Sequence, residues 1–199
     1  MEYTRSSIVL WIGPKRSGKT TSAADLARFA RRRGLRVAGV LQPAVYAQGE
    51  LLGYDVVDLA TDRRTALARR DGAGPTRTGR FAFRPEGLGL GRAALAQPAV
   101  RGADLVLVDE FGPLEVAGGG WRQAVETLTR SGESPVVVLV VRDDLVVEVR
   151  RMFSDRSLGV VPAAQPDAAA RVTGIAGRKT GFSGPDGRPP SAPTGFEGT

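Results

Sequence analysis

Gly13-Pro14-Lys15-Arg16-Ser17-Gly18-Lys19-Thr20 decides the reading of this chain. It is a complete G-x-x-x-x-G-K-[ST] string, the pattern of a phosphate-cradling loop. The run Ser7 to Ile12 before it is short and apolar, as a buried parallel strand is. The run Thr21 to Ala30 after it spaces its apolar residues as a helix does. Strand, loop and helix therefore follow in the order the pattern needs. Gly13 and Gly18 let the backbone wind tightly, so that the amides of Gly13 through Thr21 turn toward phosphate oxygens, and the helix N-terminus adds its partial positive charge. Lys19 is expected to reach the β- and γ-phosphates, and the Thr20 hydroxyl to ligate Mg²⁺. With 26 Gly among 199 residues and Lys far rarer, composition alone gives roughly 0.006 chance matches to the string.

Composition narrows the chemistry. The length suits one domain with an ample core. The chain has neither Cys nor His, so thiolate chemistry, disulfides and imidazole bases are excluded. Catalysis must use carboxylates, Lys, Arg, hydroxyls, backbone or a bound ion. No apolar run approaches the ~20 residues of a membrane span. The N-terminus does not read as a signal peptide, and a cytoplasmic setting is expected. Net charge is +7, carried almost wholly by Arg. The basic runs are short and lack aromatic interleaving, so solvated faces are favoured over a nucleic-acid platform.

Outward from the loop, the first helix is expected to stop at Gly34, and Leu35 to Leu41 to form a second strand. The pattern then changes. Ala44 to Ala47, the turn Gln48-Gly49-Glu50, and Leu51 to Leu59 read as a β-hairpin, with Arg63 to Ala68 a third antiparallel strand. Asp71 to Thr78 reads as a loop, Phe81 to Phe83 as a short strand, and the segment from Pro85 to about Gln97 as a helix. Pro135 to Val141 is a buried strand, Leu145 to Phe153 a helix, and Arg156 to Val161 an edge strand. Residues 162–199, rich in Gly, Pro, Ala and Ser, read as a mostly disordered tail with scope for a short folded piece around Val172 to Ile175. The domain is thus expected over 1–161. The fold class is three-layer α/β, a mostly parallel sheet with an antiparallel hairpin extension.

The second decisive stretch is Ala103 to Glu110, four apolar residues running into two acids. Ligands of α/β nucleotide-binding folds gather at the carboxyl ends of parallel strands. There Asp109 can hold Mg²⁺ through water, and Glu110 is placed to activate an attacking water as a general base.

Together, Gly13 to Thr21, Gly53-Tyr54-Asp55-Val56-Val57-Asp58-Leu59, Gly79-Arg80-Phe81 and above all Asp109-Glu110-Phe111-Gly112-Pro113-Leu114-Glu115 resemble the cancer-related/thermophilic nucleoside-triphosphatase family. The resemblance spans about residues 7 to 153. It implies a RecA-like P-loop fold that hydrolyses ATP, GTP and other nucleoside triphosphates slowly with Mg²⁺. It also implies that Asp109 is the Walker B acid, Glu110 the catalytic base and Glu115 a conformational or supporting acid. Lys15 and Arg16 depart from the small residues usual in that family's loop, and the loop is also similar to that of molybdopterin-guanine dinucleotide adaptor proteins.

Two other functions therefore stand beside hydrolysis: an adaptor or switch in molybdenum-cofactor assembly, and a P-loop kinase whose acceptor the sequence does not identify. The paired acids favour the hydrolase, because an adaptor needs no base. No Asn/Thr-Lys-x-Asp string is present, so strict GTP selectivity is not expected. Charge developing on the γ-phosphate calls for a positioned Arg. Arg16, Arg77, Arg80, Arg142 and Arg151 are the candidates, with Arg80 and Arg142 foremost as arginine finger or sensor. The sequence does not indicate the oligomeric state.

Overall fold

The computed structural model describes residues 7–70, 76–130 and 135–180. Within them a single mixed sheet organises the chain. The strands β1 (Ser7–Gly13), β2 (Val37–Leu41), β8 (Leu105–Val108), β9 (Val136–Arg142) and β10 (Ser157–Pro162) run parallel in the order β10-β1-β9-β8-β2. The four inner ones read as continuous apolar runs because both faces are covered, whereas β10, at the edge, is only partly buried. Val136 to Val141 is buried without a break.

Along these strands alternate residues feed two cores. Val9, Trp11, Leu107, Val138 and Val140 pack with α1 (Lys19–Arg32) and α7 (Ala168–Thr180). On the other face Ile8, Leu10, Val106, Val137 and Leu139 pack with α2 (Pro85–Ala94), α5 (Arg122–Arg130) and α6 (Val146–Met152). The result is three layers, helix on sheet on helix.

From β2 the sheet continues with the opposite sense. The strands β4 (Glu50–Asp58), β5 (Arg64–Arg69), β7 (Phe81–Phe83) and β6 (Thr76–Thr78) follow in antiparallel order, and β3 (Ala44–Ala47) pairs with β4 to the side. The hairpin extension expected from the sequence is thus a second half of the sheet, equal in strand number to the parallel half among the described residues, so that the sheet is mixed and not mostly parallel as expected. The junction is short: β2 meets β4 only through Val40 and Leu41.

Two expectations are corrected. The predicted loop over 71–78 ends in β6, which pairs with β7 through Thr76, Arg77 and Thr78; residues 71–75 lie outside the described ones. The predicted tail from residue 162 instead begins with a turn and then α7, whose Ala168, Val172 and Ala176 are buried against α1 and the sheet. These residues recur every fourth position and so form one helical stripe, but their small side chains gave it little hydropathic signal. Residues 181–199 lie outside the described ones.

No helix among the described residues is long and apolar enough to cross a membrane.

Candidate active site

The phosphate loop leaves the end of β1 and closes on the first turn of α1. Gly18 caps the helix in the left-handed region at φ 81°, where glycine carries no Cβ penalty. Arg16 also has a positive φ, 63°. Gly13 sits tightly: a Cβ there would lie 3.0 Å from the Ser17 hydroxyl, which would have to shift. Pro14, Lys15, Arg16, Ser17 and Thr21 are exposed, so the loop offers its backbone outward. Lys19 is buried, and its Nζ donates to the Pro14 carbonyl at 2.7 Å. The ammonium is thereby held over the loop it belongs to.

The second wall comes from the end of β8. Because β9 lies between β1 and β8, the phosphate loop and the two acids emerge two strands apart at the same sheet end. The structure brings them into contact: the Thr20 hydroxyl donates to Asp109 Oδ1 at 3.2 Å, across 89 residues of sequence. Asp109 is 1% exposed. Its other oxygen accepts the backbone N–H of Gln42 at 2.9 Å. Burial pushes its carboxyl up to about 6, against the pull of the Gln42 amide and the Thr20 hydroxyl. Glu110 is joined to it by a cis peptide and is half-buried.

Gln42 grips both acids, since its Nε2 also donates to the Glu110 carbonyl at 3.3 Å. Sequence reasoning missed it. A lone Gln before Pro43 at a strand end carries no pattern of its own.

Behind the acids the chain folds into α4 (Pro113–Val116), and Glu115 turns inward at 4% exposure. Its carboxylate accepts the Gly112 N–H at 2.9 Å and the Trp121 N–H at 3.2 Å. The first is the return half of a capping box; the second ties the start of α5 to the acid loop. Burial pushes Glu115 up to about 7 despite these N–H groups. Gly120, at φ 54°, is needed beside it, because a Cβ there would fall 1.9 Å from Glu115 Oε1.

The arginines separate. Arg142 pairs in register with Gly13 at the end of β9, but its guanidinium is spent on both oxygens of Asp144 at 3.1 and 2.9 Å. Arg80, in the turn between β6 and β7, lies over the Phe81 ring at 5.4 Å. It shares an open cavity with Arg16 of the phosphate loop. Arg77 is in β6, and Arg151 is exposed on α6.

The donor set suits a hard cation. Thr20 and Asp109 present a hydroxyl and a carboxylate oxygen side by side. Among the described residues no three acidic or other ligating side chains gather. Two protein oxygens, with waters and phosphates completing the shell, is how Mg²⁺ is usually held.

Known proteins resemble this chain. Residues 9–165 match the family model described as NTPase. The nucleoside-triphosphatase THEP1 of Methanothermobacter thermautotrophicus is 34% identical over 128 residues, 62% of this chain and 70% of that protein. The THEP1 nucleoside-triphosphatase of Methanopyrus kandleri is 30% identical over 141 residues, 69% of this chain and 77% of that one. Among solved structures, a human cancer-related nucleoside triphosphatase superposes with a TM-score of 0.61 at 23% identity, covering 86% of this chain and 95% of that one. THEP1 from the hyperthermophile Aquifex aeolicus gives 0.62 at 18% identity, covering 85% and 96%. At those identities the two structures speak for the fold.

Proposed function

This chain belongs to the NTPase family, and on that premise we propose that it is a Mg²⁺-dependent hydrolase that cuts nucleoside triphosphates, ATP and GTP among them, into diphosphate and phosphate. The observation that carries the reading is the Thr20–Asp109 contact, which joins the phosphate loop to the acid-bearing strand end. The insertion of β9 between those two strands supports the RecA-like type.

The residues divide the work. The amides of Gly13 to Thr21 hold the phosphates, and Lys19 neutralises the γ-phosphate. Thr20 and Asp109 hold Mg²⁺, which when bound draws charge from the β- and γ-phosphate oxygens. Glu110 takes the proton of the attacking water. Asp109 is too deeply buried for that task and already receives two hydrogen bonds. Gln42 fixes the spacing of the two acids. Arg80 supplies positive charge from the chain's own antiparallel half, while Arg142, engaged by Asp144, does not. With the Arg80 guanidinium carried on an exposed turn, turnover is slow. The setting is the cytoplasm, where nucleoside triphosphates are held.

Phosphate release from ATP, GTP, CTP and UTP, with Mg²⁺ and with excess EDTA, tests the proposal. Release from several triphosphates that stops with EDTA supports it. Release unchanged by EDTA, or none from any triphosphate, refutes it.

A further inference from the structure

A cavity of about 410 Å³ opens beside Arg16 of the phosphate loop and extends away from it over the antiparallel half of the sheet. Its lining comes from separate parts of the chain: Arg16 from the loop, Tyr46 from the end of β3, Glu50 and Leu51 from the start of β4, Arg70 just past β5, and Arg80 from the β6–β7 turn. That volume lies at the small-molecule end of ligand sites. Three guanidinium groups face one carboxylate. Glu50 is taken by Arg70 in an ion pair, and among the described residues Arg16 and Arg80 have no carboxylate partner. The lining thus carries a formal excess of two positive charges. Tyr46, 63% exposed, and Leu51 provide an apolar wall at the same opening.

The cavity adjoins the reaction site. Tyr54 feels both: its hydroxyl is pushed up by burial and by the charge of Glu110 and pulled down by Arg16 and Arg80. Its ring meets Phe81 edge-on at 5.4 Å, and Phe81 in turn carries Arg80. A ligand seated in the cavity would lie within reach of both arginines.

We propose that this cavity is a second binding site, beside the phosphate loop and bordered by its Arg16, for a phosphate monoester borne on a ring, of the size of a nucleoside monophosphate. The dianionic phosphate fits the twofold excess of guanidinium charge, and the ring lies against Tyr46 and Leu51. The site rests on the nucleotide reading only for its orientation, with the triphosphate on the loop and the second ligand beside it.

Adenosine 5′-monophosphate is the probe, titrated by calorimetry into the full chain already saturated with Mg²⁺ and ADP. One further equivalent is expected to bind. Arg70→Glu and Tyr46→Ser are each expected to weaken it about tenfold or more, with ADP affinity unchanged; Arg70→Lys, which keeps the charge, is expected to weaken it less. Circular dichroism of each variant controls for folding. Inorganic phosphate and adenosine, tried separately, are each expected to bind more weakly than the monophosphate. The inference is overturned if the ADP-saturated chain takes up no monophosphate, if the folded Arg70→Glu and Tyr46→Ser variants bind it as the parent does, or if inorganic phosphate binds equally well. Failure of ADP itself to bind would instead sink the nucleotide reading.

Discussion

The two halves of the sheet are built on opposite rules. In the parallel half, strands such as Val136 to Val141 are buried along their whole length, and polar groups appear only where a strand ends. In the antiparallel half burial is intermittent. β4 buries Gly53, Val56 and Asp58 while its other residues are partly or wholly exposed, and β3 hardly buries anything. The first half can place a side chain in one position only, because the neighbouring strands and two helical layers fix the strand beneath it. The second half carries its arginines on turns and edges, where they can adjust. The difference suggests a division: chemistry common to all triphosphates sits on the parallel half, and recognition of what else enters the site sits on the antiparallel half.

The largest test of that division is Lys19→Ala. Removing the one cation held inside the loop should slow phosphate release by more than the roughly 10²–10³-fold that one preorganised donor contributes, for every triphosphate alike. The melting temperature should hold, since Lys19 bonds only to the Pro14 carbonyl. Selective loss with one nucleotide would place recognition in the parallel half and break the comparison. Glu110→Gln follows, with a loss of about 10²–10⁴-fold in kcat and Mg²⁺-nucleotide affinity retained; equal loss of both would make Glu110 a structural acid. Arg80→Ala comes next, at about tenfold or more, or about 1.4 kcal/mol of barrier. Specific activity should not vary with protein concentration, because Arg80 acts within its own chain. A steep dependence would instead point to an arginine lent by a second copy.

The same division governs what could be read from the sequence. Parallel strands are legible because burial on both faces demands unbroken apolar runs, and the acids were legible because they end one. The antiparallel half was legible as a hairpin but not in extent. β6 is three residues, Thr-Arg-Thr, with one side chain half-buried and two exposed, so it has no pattern to detect. α7 escaped for another reason: a stripe of Ala168, Val172 and Ala176 is helical only once α1 is there to receive it. Gln42 was invisible because its task is defined by Asp109 and Glu110, 67 and 68 residues away. Arg80 and Arg142 were indistinguishable in sequence, since a neighbouring Asp144 does not say which way the guanidinium turns.

Glu115 offers a pH test within the parallel half. Its carboxyl goes from 4.5 to about 7 on folding, so between those values the folded state holds a proton that the unfolded state has released. Stability is therefore greatest below about pH 4.5 as far as this group is concerned and falls as pH rises toward 7, by on the order of 3 kcal/mol. Asp109, raised to about 6, adds a slope of the same sign. Glu115→Gln should flatten the profile of urea-unfolding free energy over about pH 5 to 7 without abolishing it. A profile identical to the parent would mean that Glu115 stays ionised in the fold. Removing α7 should have a similar reach. A chain ending at Val161 loses a fully buried Val172, about 1.5–3 kcal/mol, and its melting temperature should drop by several degrees, whereas one ending at Thr180 keeps these contacts.

The smallest expected effect is the most discriminating. Arg142 lies in the parallel half, in register with Gly13 at the mouth of the phosphate loop, and by position alone it is the better placed of the two arginines. If strand-end position decided function, Arg142→Ala would slow turnover more than Arg80→Ala. The ion pair argues otherwise. Both oxygens of Asp144 hold the guanidinium, and Asp144 is mostly exposed while Arg142 is largely covered, so the pair is a surface clasp over the end of β9. Such pairs contribute about 0–1 kcal/mol. Arg142→Ala should therefore change kcat by less than about threefold, an amount worth less than 0.7 kcal/mol of barrier, with KM for ATP unchanged. Asp144→Ala frees the guanidinium without removing it. If the clasp keeps Arg142 away from the phosphates, that variant should turn over at least as fast as the parent, and faster than Arg142→Ala. A loss in Arg142→Ala as large as in Arg80→Ala would show that the parallel half supplies the charge after all, and the division between the halves would fail where they meet the same phosphate.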